Sequence, residues 1–206
     1  MRTEPNPTAE QFTERVKDHV VNVRHDDGIY RHLYCAKPGT GMESFHITTW
    51  PGYLAYSGDM GTFVFWRTND MFTFFRRDDY GINPGYWAEK LEASDRSDGH
   101  ETFSVERFRE FVISETREYL ELEDDAEIPA AIGQEIDHLL EAEDEYECVA
   151  EMRSHDSDVI PLNDFWEHDC KVYTYRFIFC CRALVWAIAK YDEACTAGDT
   201  RAQEPK

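Results

Sequence analysis

Hydrophobic and polar positions alternate with a period of two through the first third of the chain and recur at helical spacing afterwards. The alternation is clearest over Glu43–Trp50, where Phe45, Ile47 and Thr49 point one way and His46, Thr48 and Trp50 the other. Pro51-Gly52 breaks that run, and Tyr53–Ser57 reads as a second strand. Gly58-Asp59-Met60-Gly61 is a turn whose glycines suit positive φ. Thr62–Arg67 follows with Phe63 and Phe65 on one face and Val64 and Trp66 on the other. Apolar residues on both faces predict a central strand covered on both sides.

Two earlier strands precede this stretch. His19–His25 would carry Val21, Val23 and His25 on one face, and Ile29–Ala36 would return after the Asp26-Asp27-Gly28 turn. Connections this short join antiparallel neighbours, so five strands in succession predict a meander. A short helix over Thr8–Asp18, with Thr8 as cap and Phe12 and Val16 as its stripe, comes before them. Asn69 or Asp70 caps another that begins at Met71.

Helical spacing then takes over. Tyr86–Ala93 reads as a short helix, and Ser104 caps a longer one with Phe108, Phe111, Val112, Tyr119 and Leu122 recurring at helical spacing. Pro129 opens a helix that buries Ile132, Ile136, Leu139 and Leu140. A further piece lies around Asp144–Arg153, and the longest helix is expected from Asn163 to near Tyr191, apolar on nearly every side and laid across the sheet. The predicted architecture is α+β, one domain over residues 1–206. Residues 1–77 are mainly strands and 84–192 mainly helices, with an antiparallel sheet of about five strands packed against a helical, acidic C-terminal half. Loose termini are expected at 1–7 and 196–206.

Several strings resemble a family of small accessory proteins encoded by tailed phages and prophages: Thr49-Trp50-Pro51-Gly52, Gly58-Asp59-Met60-Gly61-Thr62, Asp70-Met71-Phe72 and Phe74-Phe75-Arg76. The stretches Ile82–Lys90 and Cys180–Trp186 extend the resemblance over roughly Val20 to Asp192. The family brings no catalytic assignment. The resemblance implies a phage-encoded protein working in a bacterial cytoplasm.

Charge sharpens this picture. The net charge is −21, unevenly spread: residues 1–100 carry 11 Lys/Arg against 15 Asp/Glu, and residues 101–206 carry 10 against 27. Such a chain does not hold nucleic acid through its phosphates, because each phosphate contact needs a cation. Glu118–Met152 holds 14 Asp/Glu and no Lys or Arg. Along a helix that is about one charge per 4 Å, against one phosphate per ~3.4 Å on a DNA strand. The candidate partner-binding residues are therefore Glu121, Glu123, Asp124, Asp125, Glu127, Glu135, Asp137, Glu141, Asp144, Glu145 and Glu147, with Pro129 and Gly133 expected to break the segment. The bland alternative is a solvated face that maintains solubility. The expected partner is a host protein that itself binds nucleic acid, a defence factor of the CRISPR or restriction type, with self-association a further expectation.

A second candidate is a histidine cluster. His25, His32 and His46 stand on successive strands, and His46-Ile47-Thr48 matches one copy of the His-x-Thr element of some phosphoesterases. With Asp59 or Asp26 they could act as acid and base in a small hydrolase or nuclease. Their alternative is a set of ordinary sheet-surface side chains. The third candidate is an aromatic surface drawn from Trp50, Tyr53, Tyr56, Trp66, Tyr86 and Trp87. No cofactor or metal is expected: the six cysteines form no CxxC pair and read as reduced, mostly buried thiols. No signal peptide is recognisable. The longest apolar run, Phe177–Ala189, is interrupted by Arg182 and falls short of the ~20 residues that span a bilayer.

Overall fold

A computed structural model describes residues 6–156, 158 and 160–202, with side chains as far as Thr196. The chain divides into two compact units, Thr102–Val172 and the remainder on either side of it, where the sequence was read as one domain. Each has its own buried core.

The first unit is built on a six-stranded antiparallel meander: β1 (Val20–Asp27), β2 (Tyr30–Ala36), β3 (Phe45–Trp50), β4 (Tyr53–Gly58), β5 (Gly61–Trp66) and β6 (Leu91–Ala93), hydrogen-bonded in that order. Alternation does what the pattern requires. Leu33, Cys35, Phe45, Ile47, Leu54, Tyr56, Phe63 and Phe65 all point to one face and are fully buried. Helices α1 (Ala9–Val16), α2 (Met71–Phe75) and α7 (Tyr175–Ala202) supply the layer over it. Cys180, Cys181, Ala183 and Ala187 are small and fully buried, so α7 approaches the sheet closely while Phe177, Phe179 and Leu184 fill the space between. Each fully buried Phe or Leu adds roughly 1.5–3 kcal/mol of transfer free energy. Thr8 caps α1 in a reciprocal capping box with Gln11, and Asp70 caps α2 through the Phe72 N–H.

Five details differ from the sequence reading, each for a local reason. A β-bulge between Val23 and His25 sets Val23 opposite Leu33 on the core side and His25 opposite His32 on the outer side, so His25 leaves the valine face. The helix after Pro84 ends at Ala88 (α3, Pro84–Ala88, capped by Asn83), and Leu91–Ala93 becomes the sixth strand. β5 is covered on one face only: Phe63 and Phe65 are buried while Trp66 is 48% exposed. The expected helix from Asn163 is three elements, a 3-10 turn at Asn163–Glu167, strand β8 (Lys171–Tyr173) and α7. Thr174 makes the last break, its hydroxyl accepting the Phe177 N–H at 3.2 Å. Finally, the loose termini lie partly outside the described residues. Within them Pro7 is buried, its carbonyl accepting from Arg182 Nε at 2.7 Å, and residues 196–202 continue α7.

The second unit is helical: α4 (Val105–Tyr119), α5 (Ala130–Glu141) and α6 (Glu145–Ser154), followed by the 3-10 turn. Strand β7 (Glu101–Phe103) pairs with β8 where the chain enters and leaves. Ser104 caps α4, and the predicted stripe residues Phe108, Phe111, Val112, Ile136 and Leu139 meet around Phe165, whereas Tyr119, at the end of α4, is 52% exposed and Leu122 lies beyond the helix. Gly133 does not break α5; it lies inside the helix with open space around it.

Candidate functional site

Three surfaces answer to the three sequence candidates. The carboxylate surface belongs to residues 102–172, which carry 22 Asp/Glu against 5 Lys/Arg, a net of −17; the rest of the chain holds 20 against 16, a net of −4. All eleven candidate carboxylates are exposed. Glu121, Glu123, Asp124, Asp125 and Glu127 crowd the α4–α5 loop, Glu135, Asp137 and Glu141 lie on α5, and Asp144, Glu145 and Glu147 open α6. Among the described residues none of the eleven forms an ion pair.

Three of the four arginines of this unit are engaged elsewhere, two of them on backbone carbonyls. Arg109 donates from Nε to the Leu140 carbonyl at 2.8 Å and from a terminal nitrogen to that of Ala142 at 2.9 Å, satisfying the end of α5. Arg117 Nε donates to Ala126 at 3.1 Å, and Arg153 lies over the Trp166 ring at 5.9 Å. Two of the eleven carboxylates are structural. Asp144 accepts the Glu147 N–H and Glu147 accepts the Glu143 N–H, both at 2.9 Å, closing the start of α6. Nothing in a residue count distinguishes a capping carboxylate from a free one. The Asp144-x-x-Glu147 spacing was the legible signal for it.

The histidines meet in part. His32 and His46, on β2 and β3, lie 2.9 Å apart, Nε2 to Nδ1, one ring donating to the other. Tyr34 stacks on His46 at 4.6 Å, and Arg24 sits over the Tyr34 ring at 5.4 Å. The bulge in β1 brings His25 opposite His32, so all three histidines share the outer sheet face. Asp59 does not join them as an acid: it is exposed on the β4–β5 turn, where its carboxylate accepts the Glu43 N–H at 2.9 Å. Asp26 lies on the other face of β1 and accepts from the Tyr191 hydroxyl at 2.9 Å. Among the described residues no carboxylate therefore orients either ring of the pair. Among the described residues no group of three or more His, Cys, Asp or Glu stands close enough to hold a metal ion.

Burial, and then positive charge on His32 and Arg24, holds the His46 imidazole below its usual 6.5. The sign follows from proton linkage. The unfolded chain takes up a proton near the ordinary value while the folded chain resists, so this contribution to stability is present above that pH and is lost as pH falls through the folded value. The melting temperature is expected to decline between pH ~7 and ~5.5 more steeply in the wild type than in His46→Gln. Equal slopes would remove His46 as the cause.

The aromatic candidates separate cleanly. Tyr56 and Trp87 are core, while Trp50, Trp66 and Tyr86 are 36%, 48% and 36% exposed. Register aligns Trp50 with Tyr53 and Tyr53 with Trp66, and carried one step further places Tyr30 beside Trp50. Tyr30, 49% exposed, was missed from the sequence. Its signal was the strand register across the Asp26-Asp27-Gly28 turn. The result is one aromatic row across four neighbouring strands.

No protein-family model, curated protein or solved structure matches the chain.

Two remaining features carry structure. A cleft along α7 is lined by Arg76, Arg77, Tyr80 and Asp192, and its Arg76 is held by Asp192 at 2.7 Å. The cysteines are free thiols, five of them buried. Burial pushes Cys35 up to about 12 and Cys148 up to about 11, so neither is a ready nucleophile. Among the described residues no helix is long and apolar enough to cross a membrane.

Proposed function

We propose that this protein is a binding protein of phage or prophage origin that acts in the bacterial cytoplasm by occupying a nucleic-acid-binding host defence factor. The reading rests on one observation: eleven exposed carboxylates with no ion-pair partner among the described residues, on a unit of net −17 in which Arg109, Arg117 and Arg153 are engaged elsewhere. A surface of that kind attracts the Arg- and Lys-lined grooves in which such factors hold phosphates, and repels nucleic acid itself. The charge falls on a loop and two helices rather than one line. What it offers is an area of negative potential that a basic groove can close over.

The test is capture from nuclease-treated host lysate on immobilised protein, at low and at moderate salt. A single nucleic-acid-binding complex, released as salt rises, is the expected result. Retention that is indifferent to salt would refute the electrostatic mechanism.

A second reading, a small hydrolase or nuclease using His25, His32, His46 and Asp59, draws support from the 2.9 Å contact between His32 and His46. It lacks the carboxylate that orients a catalytic imidazole. On this reading His46→Ala removes phosphoester hydrolysis and leaves the melting temperature nearly unchanged. A phenotype that survives the substitution excludes the pocket.

A further inference from the structure

A cleft in the first unit sets apolar walls around an arginine that has no ion pair among the described residues. It lies between α1 and α7 and has a volume of about 290 Å³. Phe12, Thr13, Tyr80 and Trp186 wall it, Arg182 and Lys190 are its cations, and among the described residues no carboxylate lines it. Packing holds the walls in place. Phe12 meets Phe179 edge-on with ring centres 5.1 Å apart, and Trp186 meets Phe45 edge-on at 6.3 Å. Tyr80 takes the left-handed backbone conformation, φ 56°, which a bulky residue rarely adopts, and closes the side towards the Arg76 cleft, which it also lines. The two cations differ. Lys190 is taken by Glu193 at 2.8 Å. Half-buried Arg182 donates from Nε to the Pro7 carbonyl at 2.7 Å and, among the described residues, makes no other hydrogen bond. Burial lowers its guanidinium from the ordinary arginine value, and the attraction of Glu10 offsets only part of that. Arg31 and Arg76, elsewhere in the same unit, are answered by Asp70 and Asp192 at 2.8 and 2.7 Å.

Charge and shape decide what fits. With Nε engaged, the two terminal nitrogens of Arg182 remain as an end-on fork that matches the two oxygens of a carboxylate. A wholly apolar ligand settling beside Arg182 would deepen the desolvation of its charge, and a cation would be repelled by it. A ligand that brings its own counter-charge meets neither cost. Apolar walls and a volume just under the ~300 Å³ of the smaller ligand pockets restrict the rest of the ligand to a ring or a short chain. We infer that this cleft binds a small organic carboxylate, its oxyanion on Arg182 and its apolar or aromatic body against Phe12, Trp186 and Tyr80. The net charge of −21 does not forbid this, because the chain outside residues 102–172 carries net −4. Charges more than ~8 Å away are largely screened at physiological ionic strength, so the residues lining the cleft decide. None of them belongs to residues 102–172, so the acidic reading stands or falls separately.

Titration of the full chain with 3-phenylpropanoate, and with 3-phenylpropanamide as its uncharged counterpart, tests the site by ligand-observed NMR at ~0.15 M salt. The carboxylate is expected to bind with a dissociation constant below ~1 mM, and the amide at least about tenfold more weakly. Arg182→Gln removes the fork and is expected to bring the carboxylate down to the level of the amide. Because Arg182 also holds the Pro7 carbonyl, a second variant leaves it in place. Thr13 is exposed on α1 and lines the cleft, so Thr13→Trp fills the space and should weaken binding at least about tenfold without disturbing the core. Three results overturn the inference: no saturation up to ~10 mM carboxylate, equal affinity for the acid and the amide, or wild-type affinity in Thr13→Trp.

Discussion

Reversing Glu135, Asp137, Glu141 and Glu145 to lysine is expected to abolish capture of the nucleic-acid-binding partner while leaving the fold intact. Each is exposed, none forms an ion pair among the described residues, and none is seen to cap a helix. Asp144 and Glu147 are left alone because they close the start of α6. Replacing a helix cap costs about 1 kcal/mol and would confuse unfolding with loss of binding. Each exposed charge pair is worth roughly 0.2–1 kcal/mol, and reversal adds repulsion to the lost attraction. Four reversals therefore weaken binding by about a hundredfold to a thousandfold, at 1.4 kcal/mol per decade. Isothermal titration against the captured partner reads the loss, and circular dichroism checks the fold. The same substitutions relieve self-repulsion in a unit of net −17, so its melting temperature should rise or hold. Salt should act in the same two directions, weakening partner binding and stabilising the free protein. Undiminished affinity in the fourfold variant would end the mimicry reading.

The largest effect on stability is expected from Gly58→Ala. A Cβ at that position would lie 2.2 Å from the Ser44 carbonyl oxygen and 2.7 Å from the Phe45 Cα. Both are backbone atoms of the segment that leads into β3, and Phe45 is fully buried against the helices. No side-chain rotation relieves the clash, so the strand itself must shift. The cost should reach or exceed the upper end of the ~1–3 kcal/mol seen for overpacked cores. For a chain of this size that lowers the melting temperature by about 10 °C. Gly133→Ala is the control with the opposite sign. It sits inside α5 with nothing within 4 Å, so alanine should stabilise by about 0.5–1 kcal/mol. Thermal unfolding of the two variants side by side tests both. A Gly58→Ala protein as stable as the wild type would show that β3 and β4 can separate without penalty.

Gly58 also shows where reading a sequence stops. The Gly58-Asp59-Met60-Gly61 turn was visible as a turn, and its glycines were assigned to positive φ. Gly61 has it, at 96°, whereas Gly58 is required by the close approach of the neighbouring strand β3 at Phe45 and of Ser44 just before it. The local string fixes only what depends on its own dihedral angles. A contact across strands depends on register, which the string does not state. The bulge in β1 is the same lesson: Val21, Val23 and His25 read as one face until an extra residue, Arg24, turns His25 to the other side.

Alternation and helical period by themselves determined the α+β class, the antiparallel meander, α7 as the cover of the sheet, and most stripes and caps. These follow from interactions a few residues apart and from the need to bury one face. Composition alone determined the acidity and its concentration in one stretch. Tertiary structure decided which carboxylates are free, because that depends on where cations such as Arg109, Arg117 and Arg153 are used. It decided that His32 and His46 touch and that Asp59 does not serve them. It also decided that the row from Tyr30 to Trp66 lies uncovered. Exposure is a property of what packs against a residue, and strands of identical pattern differ only in whether a second layer arrives.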